Sequence, residues 1–275
     1  MGSAKPGESR VTDRWRGKWA LVTGASAGIG SALARNLAGG GCNLVLTARR
    51  RERMDELASE LIASYGIAAE IVTADLTLPN APKEIFEFTT GRKIAIQLLA
   101  NNAGYGAYGY FNEIDLQRQL EMVQVNCSAV IHLTHLFLPQ MLERGSGDIL
   151  IVASTAAFQA VPFISTYAAT KGFDLLLGEA LFEEFASRGV HVCVLCPGPT
   201  TSEFHAVSKS PSGPSKHFEA AEKVAQVGLE GLVRGKSSVV SGTLNNIQVQ
   251  ALRLAPRRTV TGAAARMFRP KEKTG

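Results

Sequence analysis

Short apolar runs rich in β-branched residues alternate with longer amphipathic segments from residue 19 onward. Apolar runs of this length are typical of buried strands, and the segments between them are long enough for helices. Helices are predicted from about Gly28 and over residues 51–64, and strands at residues 18–23, 43–48, 69–74, 96–101, 147–154, 191–197 and 237–242. This order predicts an α/β fold, in which helices cover both faces of a doubly wound parallel sheet through right-handed crossovers.

The chain of 275 residues is 45% hydrophobic, which is enough to bury a full core in one domain. We expect a polar N-terminal extension at residues 1–17, a single folded domain at 18–252 and a basic C-terminal extension at 253–275. The apolar stretch at 122–142 contains Asn126, His132, His135 and Gln140, so it predicts a long packed helix that could include a subunit contact rather than a membrane span. The two histidines have no partners at metal-ligand spacing, and no metal site is expected.

The net charge of +5 lies largely at the two ends of the chain, which argues against a nucleic acid partner. The C-terminal extension mixes arginines with apolar residues and could touch an anionic membrane or another subunit, but we favour a peripheral extension over an anchor. Cys193 and Cys196 have CxxC spacing within a strand-like run, so they are interpreted as core thiols. The first 18 residues contain no apolar stretch, and a reducing cytoplasmic location is expected.

Candidate functional residues follow the predicted strands, where ligands of open parallel sheets bind. The first strand leads into a turn that contains Gly24, Gly28 and Gly30 and opens a helix. Glycines allow a sharp turn, and the free N–H groups of a helix N-terminus attract phosphate. A glycine-rich turn in this context indicates dinucleotide binding.

Taken together, several motifs resemble the short-chain dehydrogenase/reductase family, over residues 18–245. Its glycine motif matches residues 23–30, its NNAG motif matches Asn101 to Gly104, and its YxxxK pair matches Tyr167 and Lys171. The resemblance implies a Rossmann-type sheet, a nicotinamide cofactor and a dinucleotide-binding catalytic domain at 18–252. It also implies a homodimer or homotetramer built on the long helices.

Tyr167 and Lys171 lie four residues apart, so they share one face of a helix, and Ser154 ends a strand beside them. The ammonium is expected to lower the pKa of the phenol from its usual value of ~10 toward neutrality. By resemblance, Tyr167 exchanges the proton of a carbonyl or alcohol oxygen that Ser154 holds. Lys171 contacts the nicotinamide ribose, and Asn126 supports a water that connects Lys171 to solvent.

The second strand leads into Arg49, Arg50 and Arg51, without the acidic residue that usually binds the ribose of NAD. We therefore predict NADP(H), with Arg49 as the main partner of the 2′-phosphate and Arg50 as the second, and Arg51 as a solvated residue of the next helix. The other expected cofactor contacts are Gly24, Ser26, Gly28, Ile29, Gly30, Asp75, Leu76, Asn102, Ala103, Gly104, Tyr167, Lys171, Pro197, Gly198, Thr200 and Ser202. Ser202 stands where the family has threonine, and Thr200 and Thr201 remain alternatives to it for that contact.

Two other functions are alternatives to this one. GASAG matches the GxSxG elbow of serine hydrolases through Ser26, but the motif follows the first strand rather than a later one. A catalytically idle member would bind cofactor as a sensor or scaffold, which the intact set of Asn126, Ser154, Tyr167 and Lys171 argues against.

The substrate is a small carbonyl or alcohol that no motif identifies. A lipophilic ketone or aldehyde is suggested by apolar residues in the two segments expected to line the pocket. These are Phe158, Val161, Phe163, Phe204 and Val207. The segment at 208–216 is predicted to be a flexible loop beside the pocket, and His205 is interpreted as a solvated loop histidine.

Overall fold

The computed structural model describes residue 11, residues 13–203, residue 208 and residues 218–270. His205, Phe204, Val207 and most of the 208–216 loop, for which expectations were formed from the sequence, lie outside the described residues.

Seven parallel strands form one sheet in the order β3-β2-β1-β4-β5-β6-β7. The strands are β1 (Trp19–Thr23), β2 (Asn43–Ala48), β3 (Ala69–Thr73), β4 (Ile96–Asn101), β5 (Gly147–Val152), β6 (Val190–Cys196) and β7 (Ser238–Val240). Each coincides with a predicted strand within one or two residues at either end. The central strands are almost entirely buried, which is why they read as continuous apolar runs.

Helices cover both faces of the sheet, as predicted. They are α1 (Gly28–Gly39), α2 (Arg51–Tyr65), α3 (Ala81–Gly91), α4 (Leu116–Val123), α5 (Ala129–Glu143), α6 (Ser165–Phe185), α7 (Ala221–Val233), α8 (Thr243–Leu252) and α9 (Arg257–Phe268). Leu33 of α1, Met54 of α2 and Leu229 of α7 bury one face of the sheet. Phe137 of α5 and Ile85 of α3 belong to the core on the other face.

The chain runs outward from β1 to β3 and then crosses back to place β4 on the other side of β1. This reversal leaves a crevice at the carboxyl ends of β1 and β4, which is where open α/β sheets bind ligands. The predicted long helix is continuous through α4 and α5, but a π-helical turn at Gln124–Ser128 joins the two. Among the described residues, no helix has both the length and the apolar character needed to cross a bilayer.

Packing extends beyond the domain limits of 18 and 252 that were expected from the sequence. Trp15, in a short 3-10 turn, has no exposed surface and belongs to the core. In the C-terminal segment, Ala264 of α9 is buried against Val161 and Ala168. Both ends of the described chain therefore contribute to the folded domain.

Candidate active site

The turn between β1 and α1 forms one end of a deep cleft. Gly24 and Gly28 have φ values of +67° and +55°, which L side chains rarely adopt. A Cβ on Gly24 would lie 2.9 Å from Nδ2 of Asn102. Helix α1 begins at Gly28 after Ala27, which has no side-chain cap to offer, and its first turn contains no acidic residue. Its N-terminal N–H groups are therefore suited to an anionic ligand.

Gly30, expected as a cofactor contact, does not line the cleft. A Cβ at this position would lie 2.2 Å from the carbonyl oxygen of Gly24. The glycine is required because the first turn of α1 packs directly on the preceding loop. Ser26, Gly28 and Ile29 do line the cleft.

The segment after β4 is tied to the end of β1 by hydrogen bonds. The backbone N–H groups of Asn102 and Ala103 both donate to Oγ1 of Thr23, at 2.9 Å each. The side-chain amide of Asn102 donates to the carbonyl oxygen of Thr23 at 2.7 Å. These bonds fix the floor of the cleft, which Asn102, Ala103 and Gly104 line.

Ser154, Tyr167 and Lys171 lie on the wall of this same cleft. Ser154 follows β5 and accepts a hydrogen bond from the backbone N–H of Ala156 at 3.1 Å, which fixes its hydroxyl at the start of a 3-10 turn. Tyr167 and Lys171 come from the first two turns of α6, and the Tyr167 hydroxyl is hydrogen bonded to Ser154. The ammonium of Lys171 donates to the carbonyl oxygen of Val152 at 2.7 Å.

The pKa of Tyr167 moves in the direction opposite to the one expected from the sequence. Burial raises the pKa of its phenol above the usual value, and the ammonium of Lys171 and the hydrogen bond with Ser154 offset only part of this effect. Tyr167 is half-buried and lines the cleft, and desolvation is the largest effect on its pKa. In this structure Tyr167 is therefore a protonated phenol at neutral pH.

Asn126 lies behind the cleft rather than on its wall. It has no exposed surface and comes from the π-helical turn. Its amide nitrogen donates to the carbonyl oxygen of Tyr105 at 3.0 Å and to Oγ1 of Thr170 at 2.9 Å, and its oxygen accepts from the N–H of Tyr105. A Cβ on Gly104 would lie 3.1 Å from Oδ1 of Asn126 and 3.3 Å from Nζ of Lys171. Asn126 is therefore close to the site and braces the loop that follows β4.

The arginines after β2 have different surroundings at the opposite end of the cleft. Arg50 donates to Oγ of Ser26 at 3.0 and 3.2 Å and forms an ion pair with Glu203 at 2.7 Å. Arg49 also lines the cleft and is exposed, with no ion pair or hydrogen bond to any residue that the structure describes. Arg51 forms an exposed pair with Asp55. The hydroxyl of Ser26 thus accepts from a guanidinium, which does not support a role as a hydrolase nucleophile.

The remaining expected cofactor contacts line the cleft as well. Asp75 accepts hydrogen bonds from the N–H and hydroxyl of Thr77 at 3.0 and 2.9 Å, and Leu76 is buried beside it. After β6, Thr200 and Ser202 face the cleft together with Pro197 and Gly198, whereas Thr201 is exposed and does not line it.

The apolar wall of the cleft differs from the one expected. Phe158 packs against the core cluster of Leu175 and Val194, Val161 is buried against α9, and Phe163 stacks edge-on against Tyr110. None of the three lines the cleft. The apolar and aromatic side chains that do line it include Tyr108, Ile164, Phe218, Met267 and Phe268. The last two belong to the C-terminal helix, and no sequence signal placed that helix over the site.

The cleft fits a dinucleotide in size and in chemistry. Its volume is about 820 Å³. The N-terminus of α1 is open to it, and Oγ1 of Thr47, at the end of β2, is buried without a hydrogen-bond partner among the described residues. Nowhere in the described part of the chain do three His, Cys, Asp or Glu side chains gather as a metal site would require.

The fold and this cleft define a dinucleotide-binding α/β protein. The family model for short chain dehydrogenase matches residues 18–212. Among curated relatives, hydroxysteroid dehydrogenase-like protein 1 of Gallus gallus is 32% identical over 222 residues, which cover 80% of this chain and 66% of the relative, just under two thirds of its length. Very-long-chain 3-oxoacyl-CoA reductase of Anas platyrhynchos is 32% identical over 226 residues, which cover 80% of this chain and 72% of that protein.

A solved structure, the short-chain dehydrogenase from Sphingobium yanoikuyae in complex with NADPH, aligns with a TM-score of 0.79 at 26% identity. The alignment covers 94% of this chain and 98% of that one. The chain therefore belongs to the short-chain dehydrogenase/reductase family, which confirms the resemblance inferred from its motifs.

Proposed function

We propose that the protein is an NADP(H)-dependent oxidoreductase that interconverts a carbonyl compound and its alcohol, with Tyr167 as the acid/base. The observation that carries this proposal is the convergence of Ser154, Tyr167 and Lys171 on the wall of one cleft whose other end is the open N-terminus of α1.

In the direction of reduction, a nicotinamide cofactor held in this cleft would supply the hydride for the carbonyl carbon. Ser154 holds the carbonyl oxygen, and Tyr167 donates its proton to that oxygen. A phenol whose pKa is raised by burial remains protonated at neutral pH and is available as this donor. The ammonium of Lys171 stabilises the phenolate that remains, because opposite charges attract strongly where water is excluded.

The test is Tyr167→Phe, assayed for NADPH oxidation across a panel of carbonyl compounds. Loss of a general acid lowers turnover by about 10²- to 10⁴-fold, while cofactor binding is expected to change little. Tyr65→Phe serves as the control, because Tyr65 is an exposed tyrosine at the end of α2. Near-normal turnover by Tyr167→Phe refutes the assignment. If the wild-type protein binds the cofactor but turns over none of the compounds, a catalytically idle sensor is favoured instead.

The preference for NADP rests on Arg49 and Arg50. Arg49 is exposed at the cleft and has no partner in the described structure, whereas Arg50 is already engaged by Ser26 and Glu203. This difference supports Arg49 as the main ligand of the 2′-phosphate and Arg50 as the second. The NADPH complex of the Sphingobium yanoikuyae protein agrees with this choice of cofactor.

Arg49→Ala is expected to weaken NADPH binding by about 10- to 150-fold, the equivalent of one charge-assisted hydrogen bond of roughly 1.5–3 kcal/mol. NADH binding should be nearly unchanged. The matched control is Arg51→Ala, which removes an arginine two positions away that pairs with Asp55. Equal losses for NADPH and NADH, measured by fluorescence titration, would contradict this role.

A lipophilic carbonyl compound is the proposed substrate class. Apolar and aromatic side chains, among them Tyr108, Ile164 and Met267, line the cleft, and the names of the two curated relatives refer to a very-long-chain 3-oxoacyl-CoA and to hydroxysteroids. We expect kcat/KM to rise with the apolar surface of the carbonyl compound. Higher efficiency with small polar sugars than with long-chain or polycyclic ketones would argue against this class.

We also propose a homodimer or homotetramer built on the long helices. Leu116, Leu120 and Val123 of α4 and Ile131 of α5 are exposed, as is Leu176 of α6. Large apolar side chains gathered on adjoining helices are typical of subunit contacts. Leu120→Lys combined with Leu176→Lys should yield monomers in analytical ultracentrifugation, and a wild-type protein that is already monomeric at micromolar concentration would exclude the proposal.

A cytoplasmic location is proposed from the four free cysteine thiols. Cell fractionation tests this, and recovery in a membrane or extracellular fraction would oppose it.

A further inference from the structure

Asp174 is a buried acid that the proposed chemistry does not use. It lies on α6, one turn beyond Lys171, and is buried. One turn further, a Cβ on Gly178 would meet Val194 at 2.2 Å, so this part of α6 packs directly on the sheet. Water therefore cannot solvate the carboxylate from that side.

The carboxylate and the ammonium of Lys171 form a buried ion pair. Nζ of Lys171 donates to Oδ2 of Asp174 at 2.9 Å, and the two side chains are only 6% and 1% exposed. A second N–H of the ammonium donates to the carbonyl oxygen of Val152. Because an ammonium has three N–H groups, one remains for the cleft that Lys171 lines.

The second oxygen of the Asp174 carboxylate makes the buried ion pair unfavourable for the stability of the fold. Oδ1 of Asp174 is buried and has no hydrogen-bond partner in the part of the chain that the structure describes. A half-satisfied buried carboxylate destabilises a fold, and replacing a buried ion pair with apolar residues is often neutral or favourable. Stability of the fold therefore does not explain why an acid occupies this position.

We propose that Asp174 is a positioning residue for the acid/base site, which holds the ammonium of Lys171 against the end of β5 and keeps it charged. The functional part of this inference rests on the proposed function. Asp174 has no contact with the cleft and acts through Lys171.

The other titratable groups around the ammonium cannot replace Asp174 as its counterion. They are Tyr167 on the same helix, Cys127 on the π-helical turn and Cys196 on β6. Burial raises the pKa of both thiols to about 12, and it raises the pKa of the phenol as well, so all three are uncharged at neutral pH. Burial by itself would lower the pKa of Lys171, but the attraction of Asp174 is the largest of the effects that oppose burial, and the net pKa lies above the usual value.

The first experiment measures the energetic coupling between Lys171 and Asp174 by thermal unfolding of cofactor-free protein. Lys171→Met and Asp174→Leu are each expected to lower Tm, because each leaves an uncompensated buried charge or forces that group to neutralise. The double variant Lys171→Met/Asp174→Leu should lose clearly less Tm than the sum of the two single losses. Additive losses would show that the two side chains are not coupled and would overturn the proposal.

The second experiment is the pH profile of carbonyl reduction by Asp174→Asn. Without its counterion the buried amine loses its proton as the pH rises through a lowered pKa, so activity is present below that pKa and lost above it. The loss of kcat relative to wild type should be about tenfold or more at pH 8.5 and shrink to about threefold or less at pH 6, as a fall of about three to four pKa units from the ordinary lysine value of ~10.4 predicts. A loss that is equal at all pH values indicates structural damage alone and overturns the positioning role.

Glu179→Gln is the matched control, because Glu179 is a partly buried acid on the same helix that accepts a hydrogen bond from Ser238 at 2.8 Å. Its pH profile should follow that of the wild type. Failure of the proposed function is distinguishable from failure of this inference, since the thermal cycle needs no turnover and Tyr167→Phe tests the acid/base separately.

Discussion

Asp148 joins the N-terminal turn to the sheet, at the edge opposite the cleft. It is the second residue of β5 and has no exposed surface. Its carboxylate accepts hydrogen bonds from Nε and Nη2 of Arg14 at 3.1 and 2.8 Å and from Nε1 of Trp15 at 2.8 Å. We predict that Asp148→Ala destabilises the protein without a direct effect on the active site.

The expected loss of stability in Asp148→Ala follows from the two side chains, Arg14 and Trp15, that would lose their hydrogen-bond acceptor. Trp15 is fully buried, so its indole N–H would lose its acceptor at a cost of about 1–3 kcal/mol. Breaking a fully buried ion pair costs about 3–5 kcal/mol, but the Arg14 side chain is 32% exposed and water can solvate part of it. We therefore expect a loss of about 3 kcal/mol in the free energy of unfolding for Asp148→Ala. Asp148→Asn keeps one acceptor oxygen, and about 1–2 kcal/mol is expected.

The assay is thermal unfolding followed by circular dichroism. For a chain of this size, 1 kcal/mol corresponds to about 2–4 °C, so Asp148→Ala should lower Tm by about 6–12 °C. Arg16→Ala is the control, since the ion pair of Arg16 with Asp13 is exposed and worth little. If Asp148→Ala lowers Tm no more than Arg16→Ala does, the carboxylate does not anchor the N-terminal turn and the reasoning is wrong.

Three further predictions concern the cleft and the core. Gly30→Ala should lower both Tm and cofactor affinity, because its Cβ would lie 2.2 Å from a backbone oxygen. Gly39→Ala on the same helix is the control, since its Cβ meets nothing closer than 3.9 Å and should be tolerated; equal effects in the two variants would contradict the prediction. The four cysteines are buried, and burial raises their pKa values to about 12. A thiol reagent at pH 8 should therefore label none of them in the native protein and all four after unfolding, and rapid labelling of native protein would count against their burial. Tyr108→Phe removes a 2.9 Å hydrogen bond to the carbonyl oxygen of Phe268, which loosens the end of α9 at the cleft. KM for lipophilic carbonyls should therefore rise about fivefold with a smaller change in kcat, and an unchanged KM would mean that this bond does not shape the substrate site.

Features set by local pattern could be predicted from the sequence. Each strand of the sheet is a short apolar run, and buried parallel strands show this run because both of their faces are covered. The glycine turn and the placement of Ser154, Tyr167 and Lys171 on one cleft also follow from local order, since the carboxyl ends of neighbouring parallel strands meet at one edge. The family was identified for the same reason, because its motifs occur in a fixed order along the chain.

Contacts between distant segments were decided only by the tertiary structure. The pairing of Arg14 and Trp15 with Asp148, and of Arg50 with Glu203, joins residues more than a hundred positions apart, and no periodic pattern encodes such a distance. The direction of the Tyr167 pKa shift was missed because spacing shows that a lysine is near but not how completely the phenol is desolvated. The apolar wall formed by Met267 and Phe268 was missed because packing of the C-terminal helix depends on shape rather than on sequence order. The sequence by itself thus determined the sheet, its covering helices and the reactive groups, whereas burial and long-range packing determined which charges are paired and what closes the cleft.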